Sequence, residues 1–77
     1  MAEMIERITE FCAGRYNALS RNQPEQAKAY QAIINQITEL RLSSEHPADD
    51  LLDWMSQPHT DADLTRACKL VFEMLGE

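Results

Sequence analysis

Residues 24–41, PEQAKAYQAIINQITELR, decide the fold. Ile33, Ile34 and Ile37 suggest a strand by residue type alone. Their spacing says otherwise. At about 100° per residue, Ala27, Tyr30, Ile33, Ile34, Ile37 and Leu40 fall within an arc of about 140°. That stripe, among Ala, Gln, Lys and Glu, predicts a helix from about 24 to 41. Asn22-Gln23-Pro24-Glu25 supplies its start. Proline suits the first turn because its missing N–H would be unpaired there anyway. A polar side chain just before it is expected to cap, and Glu25 sits at the positive end of the helix dipole.

The preceding segment reads as a helix from about 2 to 20. Met4, Ile5, Ile8, Phe11, Cys12, Tyr16 and Leu19 share one stripe, again about 140° wide. Arg15 lies inside it. Its aliphatic stem is expected to cover the core edge while the guanidinium reaches water, with pairing to an acid as the alternative. Gly14 lies off the stripe, as a tolerated surface glycine or the mark of a close helix approach. Only Arg21 to Gln23 separate the two helices, so they must fold back as an antiparallel hairpin.

Beyond residue 41, Ser43-Ser44-Glu45-His46-Pro47 breaks the pattern. Pro47 opens a short helix, about 47–56, with Ala48, Leu51, Leu52, Trp54 and Met55 on one side and Asp49, Asp50 and Asp53 on the other. Gln57-Pro58-His59 forms the next turn. Thr60 and Asp63 have the spacing of a capping box for a last helix at about 61–75, with Gly76 as its stop. Leu64, Ala67, Cys68, Val71, Phe72 and Leu75 form the stripe of that helix. Leu70 and Met74 widen its apolar side, as in a deeply buried helix or one whose edge meets a partner. No alternation of period two appears. The sequence therefore predicts an all-α domain over residues 1–77: a small bundle of three main helices plus one short helix.

Length limits what such a bundle can do. An 8.8 kDa chain of 77 residues is expected to fold to about 4,800 Å² of surface from roughly 12,800 Å² unfolded. There is no room for a large cleft. With 44% apolar and 26% charged residues the composition is globular, not disordered. The acidic start carrying Glu3, Glu6 and Glu10 is unlike a signal peptide. No apolar run is long enough to span a membrane, so a cytoplasmic location and no membrane partner are expected. Cys12 and Cys68, 56 residues apart, read as buried reduced thiols, with a core disulfide between first and last helices as the alternative. Met1, Met4, Met55 and Met74 read mostly as gap-fillers, with Met55 and Met74 near Leu70 as an adaptable contact surface.

Charge is the most informative feature. The net charge is −6. Acids and bases cancel over residues 1–42 and again over 64–77. The whole excess therefore comes from Glu45, Asp49, Asp50, Asp53, Asp61 and Asp63, with no base among them. One reading is local: carboxylates in first turns gain roughly 0.3–1 kcal/mol from the helix dipole. The other is an acidic patch that meets a basic protein surface, with faster and better-oriented encounter. Asp53 lies mid-helix, where capping does not explain it.

Other functions fit less well. A metal site at His46, His59 and the aspartates lacks the calcium-loop pattern, and Pro47 and Pro58 hold the two histidine turns apart. No metal or cofactor is expected. Enzymatic work needs convergent groups in a dry pocket, and no nucleophile motif or phosphate loop is present, so no catalytic residues are expected. The short helix, turn and last helix loosely suggest a helix-turn-helix. Such a recognition helix would present Asp61 and Asp63 to phosphates, against only Arg66 and Lys69, so nucleic acid is not the expected partner. The expectation is an interaction module. Asp49, Asp50, Asp53, Asp61 and Asp63 would steer the partner, and Trp54, Leu70 and Met74 would make apolar contact. A homodimer, through the hairpin or the Leu70/Met74 edge, is the alternative.

Overall fold

The computed structural model describes residues 2–76 and is all-α. Met1 and Glu77, counted above among the methionines and the charges, lie outside the described residues. Four helices follow one another: α1 Ala2–Leu19, α2 Pro24–Ser43, α3 Pro47–Ser56 and α4 Ala62–Leu75. No strand occurs among the described residues.

The second helix is the spine. It packs most extensively on α1, then on α4, and also touches α3. Its buried face carries Ala27, Ala29, Tyr30, Ile33 and Ile37. Ile5, Ile8 and Cys12 of α1, Ala48, Leu51 and Met55 of α3, and Ala67, Cys68 and Val71 of α4 complete one contiguous core. Among the described residues no charged or polar side chain is fully buried. The accessible surface is 5139 Å², close to the value expected from mass alone.

Boundaries depart from the sequence reading by one or two residues, as helix ends commonly do. The first helix ends at Leu19. Ser20 follows as a turn, its N–H bonded to the Tyr16 carbonyl at 2.9 Å. The second helix continues to Ser43, whose hydroxyl donates to the Glu39 carbonyl at 2.8 Å. Nothing before the Pro47 segment forces a stop, and the added turn leaves Leu42 86% exposed. The expected side-chain cap ahead of Pro24 does not form. Gln23 occupies the N-cap without a side-chain hydrogen bond, and Pro24 at the helix start leaves one donor fewer to satisfy. At the far end, Gly76 follows α4 in ordinary right-handed geometry, φ −81° and ψ −6°. Its N–H bonds to the Phe72 and Glu73 carbonyls, so no left-handed cap is used.

Arg15 takes neither expected course in full. Its guanidinium lies 5.6 Å above the centre of the buried Tyr30 ring, in cation–π range. It pairs with no acid, and its Nε is buried without a hydrogen-bond partner. Phe11 meets the same ring edge-on at 6.2 Å. Tyr30 thus ties two turns of α1 to the spine. Gly14 marks no close approach: a methyl group there would find no heavy atom within 4 Å.

Replacing Gly14 with Ala should therefore stabilise the fold by about 1 kcal/mol, raising Tm by roughly 4–8 °C; an unchanged or lowered Tm in thermal melts would contradict the open environment described. The two cysteines give a second test. Burial pushes the Cys12 thiol up to about 12 from an ordinary 9.0, with the neighbouring Cys68 adding to the effect. Burial likewise raises Cys68 to about 11. Above pH 9 the unfolded chain releases protons that the folded chain retains, so stability should fall as pH rises towards 12. Alkaline melts of the wild type and a Cys12→Ala/Cys68→Ala variant should diverge in that window, with the wild type losing stability more steeply.

Candidate functional site

The segment from Glu45 to Asp63 covers α3 and the turns on either side of it. Glu45, Asp49, Asp50, Asp53 and Asp61 are exposed, and Asp63 is half-buried. The ion pair among the described residues joins Lys28 and Glu25 within α2, at 3.7 Å. None of the six acids has a base within ion-pair distance. Their charge is therefore presented to solvent instead of being neutralised within the molecule.

Two of the six have structural work. Asp61 caps α4: its carboxylate accepts from the N–H of Asp63 at 2.9 Å and of Leu64 at 3.3 Å. This corrects the expected Thr60–Asp63 capping box. Because α4 starts at Ala62, the N-cap is Asp61, and Thr60 is one residue too early. Asp50 accepts a hydrogen bond from the Ser44 hydroxyl. The same hydroxyl oxygen accepts from the His46 N–H at 3.1 Å. Ser44 thereby closes the α2–α3 turn, while His46 at the N-cap contributes no side-chain bond. Asp49 lies in the first turn of α3, where the dipole favours it, and makes no side-chain hydrogen bond. Asp53 lies one turn further on and likewise stands free, as does Glu45 before the helix. Asp49 and Asp53, four residues apart, share one exposed side of the helix.

Trp54 is half-buried at the edge of the core. The His59 ring packs against it, with centroids 4.9 Å apart and planes inclined at 56°. His59 Nε2 lies 3.1 Å from the Trp54 carbonyl oxygen. A carbonyl only accepts, so Nε2 carries the proton. It adds to the Gln57 N–H, which reaches the same carbonyl at 3.3 Å at the end of α3. His59 is thus half-buried and locks the corner between α3 and α4, whereas His46 is exposed. No group of three His, Cys, Asp or Glu side chains converges to hold a metal among the described residues.

The apolar residues expected at the edge of the site distribute differently. Met55 is buried at 4% exposure, which removes it from any contact surface with Met74. Leu70 and Met74 are half-buried and pack on the core. Met74 Sδ also receives the Arg7 guanidinium at 3.6 Å. Phe72, expected in the buried stripe, is 37% exposed instead. It stands at the opposite margin of the stripe from Leu70 and Met74. The structure thus gathers the aspartates and Trp54 in one segment, with Leu70 and Met74 on the last helix as part of its packing. The Ser44–Asp50 link and the Trp54–His59 stack were not foreseen, since each joins residues across a turn with no periodic signal.

No protein-family model matches the chain, and no curated protein or solved structure matches it either.

The capping assignment separates two neighbours. Asp61→Ala should cost about 0.5–2 kcal/mol in denaturant unfolding, while Thr60→Ala should stay within about 0.5 kcal/mol. Equal losses at the two positions would mean the α4 start is misassigned.

Proposed function

We propose that this bundle of three main helices and one short helix is an acidic protein-interaction module. It acts as a regulator, inhibitor or adaptor and binds a basic protein surface through residues 45–63. The observation that carries the reading is the exposure of Glu45, Asp49, Asp50, Asp53 and Asp61 with no base among the described residues in ion-pair reach. Helix-end electrostatics accounts for Asp61 and contributes at Asp49 and Asp50. It does not account for Asp53 or Glu45. In this reading Asp49 and Asp53 make the first long-range contacts, and Asp50, Asp61 and Asp63 extend the field. Trp54, half-exposed among them, anchors the bound partner, as tryptophans do at binding hot spots. Leu70 and Met74 contribute only through whatever area they leave exposed.

No catalysis is part of this reading: the described acids are solvated and do not converge. Nucleic acid is a poor partner, because Asp61 and Asp63 at the start of α4 would face phosphates. A cytoplasmic setting belongs to the same reading and is supported by two free cysteines. No helix is long and apolar enough to cross a membrane. Self-association is the second reading. Leu42 and Phe72, the large apolar side chains left exposed, favour it, since a chain of this size gains buried area by dimerising. Light scattering over a dilution series tests it, and a strict monomer eliminates it.

The primary reading is tested by an Asp49→Lys/Asp53→Lys variant. Captured by crosslinking from the native host, the partner should bind the variant at least about tenfold more weakly, with a shallower salt dependence. Helical circular dichroism should be retained. Undiminished capture with intact helicity would reject the acidic patch.

A further inference from the structure

The first and last helices meet over a small area, and a polar side-chain contact joins them there. The Arg7 guanidinium of α1 donates from Nη2 to the Met74 sulfur of α4 at 3.6 Å. A thioether is a weak acceptor, whereas a guanidinium is always charged. A strong donor is therefore matched to a poor partner. Among the described residues no carboxylate lies within ion-pair distance of Arg7, although Glu3 lines the same shallow surface pocket with Met4 and Leu75. Met74 itself is half-buried and packs on the core, but its sulfur meets the guanidinium on the exposed side. Met55, by contrast, is only 4% exposed.

We propose that Met74 is an oxidation site whose sulfoxide is held by Arg7, so that a hydroperoxide tightens the first helix onto the last. The thioether sulfur attacks one oxygen of hydrogen peroxide and the O–O bond breaks. The other oxygen leaves as water, carrying both peroxide protons. Sulfur loses two electrons to become the sulfoxide, and the peroxide is reduced. Methionine oxidation usually disrupts packing, because it adds a polar oxygen to an apolar site. The position of this sulfur reverses that outcome. The new oxygen stands one bond out from the sulfur. Rotation of the unbranched side chain brings it to about 2.7–3.2 Å from the Arg7 Nη2, the range of an N–H···O bond. A sulfoxide oxygen then replaces the thioether as acceptor, and its bond to the guanidinium is charge-assisted, about twice as strong as a neutral one. Neither residue belongs to the acidic segment, so this site stands apart from the function proposed above.

The test uses the full chain, hydrogen peroxide and tryptic mapping by mass. The fragment that follows Lys69 should gain one oxygen at Met74 in the folded protein, while Met55 is spared until the chain is unfolded. The Tm change on oxidation is then compared in the wild type, Arg7→Ala, Met74→Leu and the double variant. The two Met74→Leu backgrounds subtract what the other methionines and the cysteines contribute. After that subtraction, oxidation should raise the Tm of the wild type and lower that of Arg7→Ala, the two shifts differing by at least about 4 °C. Methionine sulfoxide reductase should abolish the difference, and a thiol reductant alone should leave it. If Arg7→Ala fails to fold, Arg7→Leu, which keeps more of the aliphatic stem and no donor, takes its place. Absence of oxygen on Met74 in the folded chain, a wild-type Tm that falls, a shift independent of Arg7, or a difference that a thiol alone reverses would each overturn the inference.

Discussion

The buried face of α2 is the constraint on which the rest of the molecule depends. Each of the other helices rests on it. Fully burying a residue such as Ile33 is worth about 1.5–3 kcal/mol, and in a chain of 77 residues few such contributions are available. Tyr30 widens that face. Its ring receives Phe11 edge-on and the Arg15 guanidinium from above, so an otherwise plain hairpin gains a defined rotation of α1 about its own axis. That rotation turns Ile5, Ile8 and Cys12 inward together.

The distribution of charge follows from how the remaining helices are started. Both α3 and α4 begin after turns of three to five residues, and acidic side chains serve those starts. Asp61 caps one directly, and Asp50 is tied to the turn by Ser44. These uses do not require that bases be absent. A capped helix start tolerates a lysine one turn further on. The segment has none, and that leaves Glu45, Asp49 and Asp53 with charge that no internal partner consumes. Stability accounts for part of the acidity, and the proposed association is what the remainder would serve.

Much of this was legible from residue spacing. The four helices follow from apolar positions recurring every three to four residues, because a helix packed on one side must bury one stripe. The isoleucines of α2 adopt a helix against their strand preference for the same reason. What spacing does not carry is the geometry of ends and margins. Thr60 and Asp61 are both competent caps, and the choice depends on which residue the turn leaves in extended conformation. Phe72 and Met55 lie on opposite errors of a single idea. An arc of apolar residues states which side faces inward but not how far the neighbouring helix reaches across it. The stack of His59 on Trp54 depends on how separate segments meet, so no local pattern announces it.

The corner between α3 and α4 has one more property. Trp54 is the sole tryptophan of the chain, and it sits where an imidazole covers one face and the core covers another. Ultraviolet emission from this molecule above the tyrosine range therefore comes from a single indole at the border of the acidic segment. Events that tilt the short helix, whether a ligand pressing on it or a loosening of its neighbour, change the polarity around that one chromophore. The protein carries a built-in optical gauge at the place where its surface chemistry is concentrated.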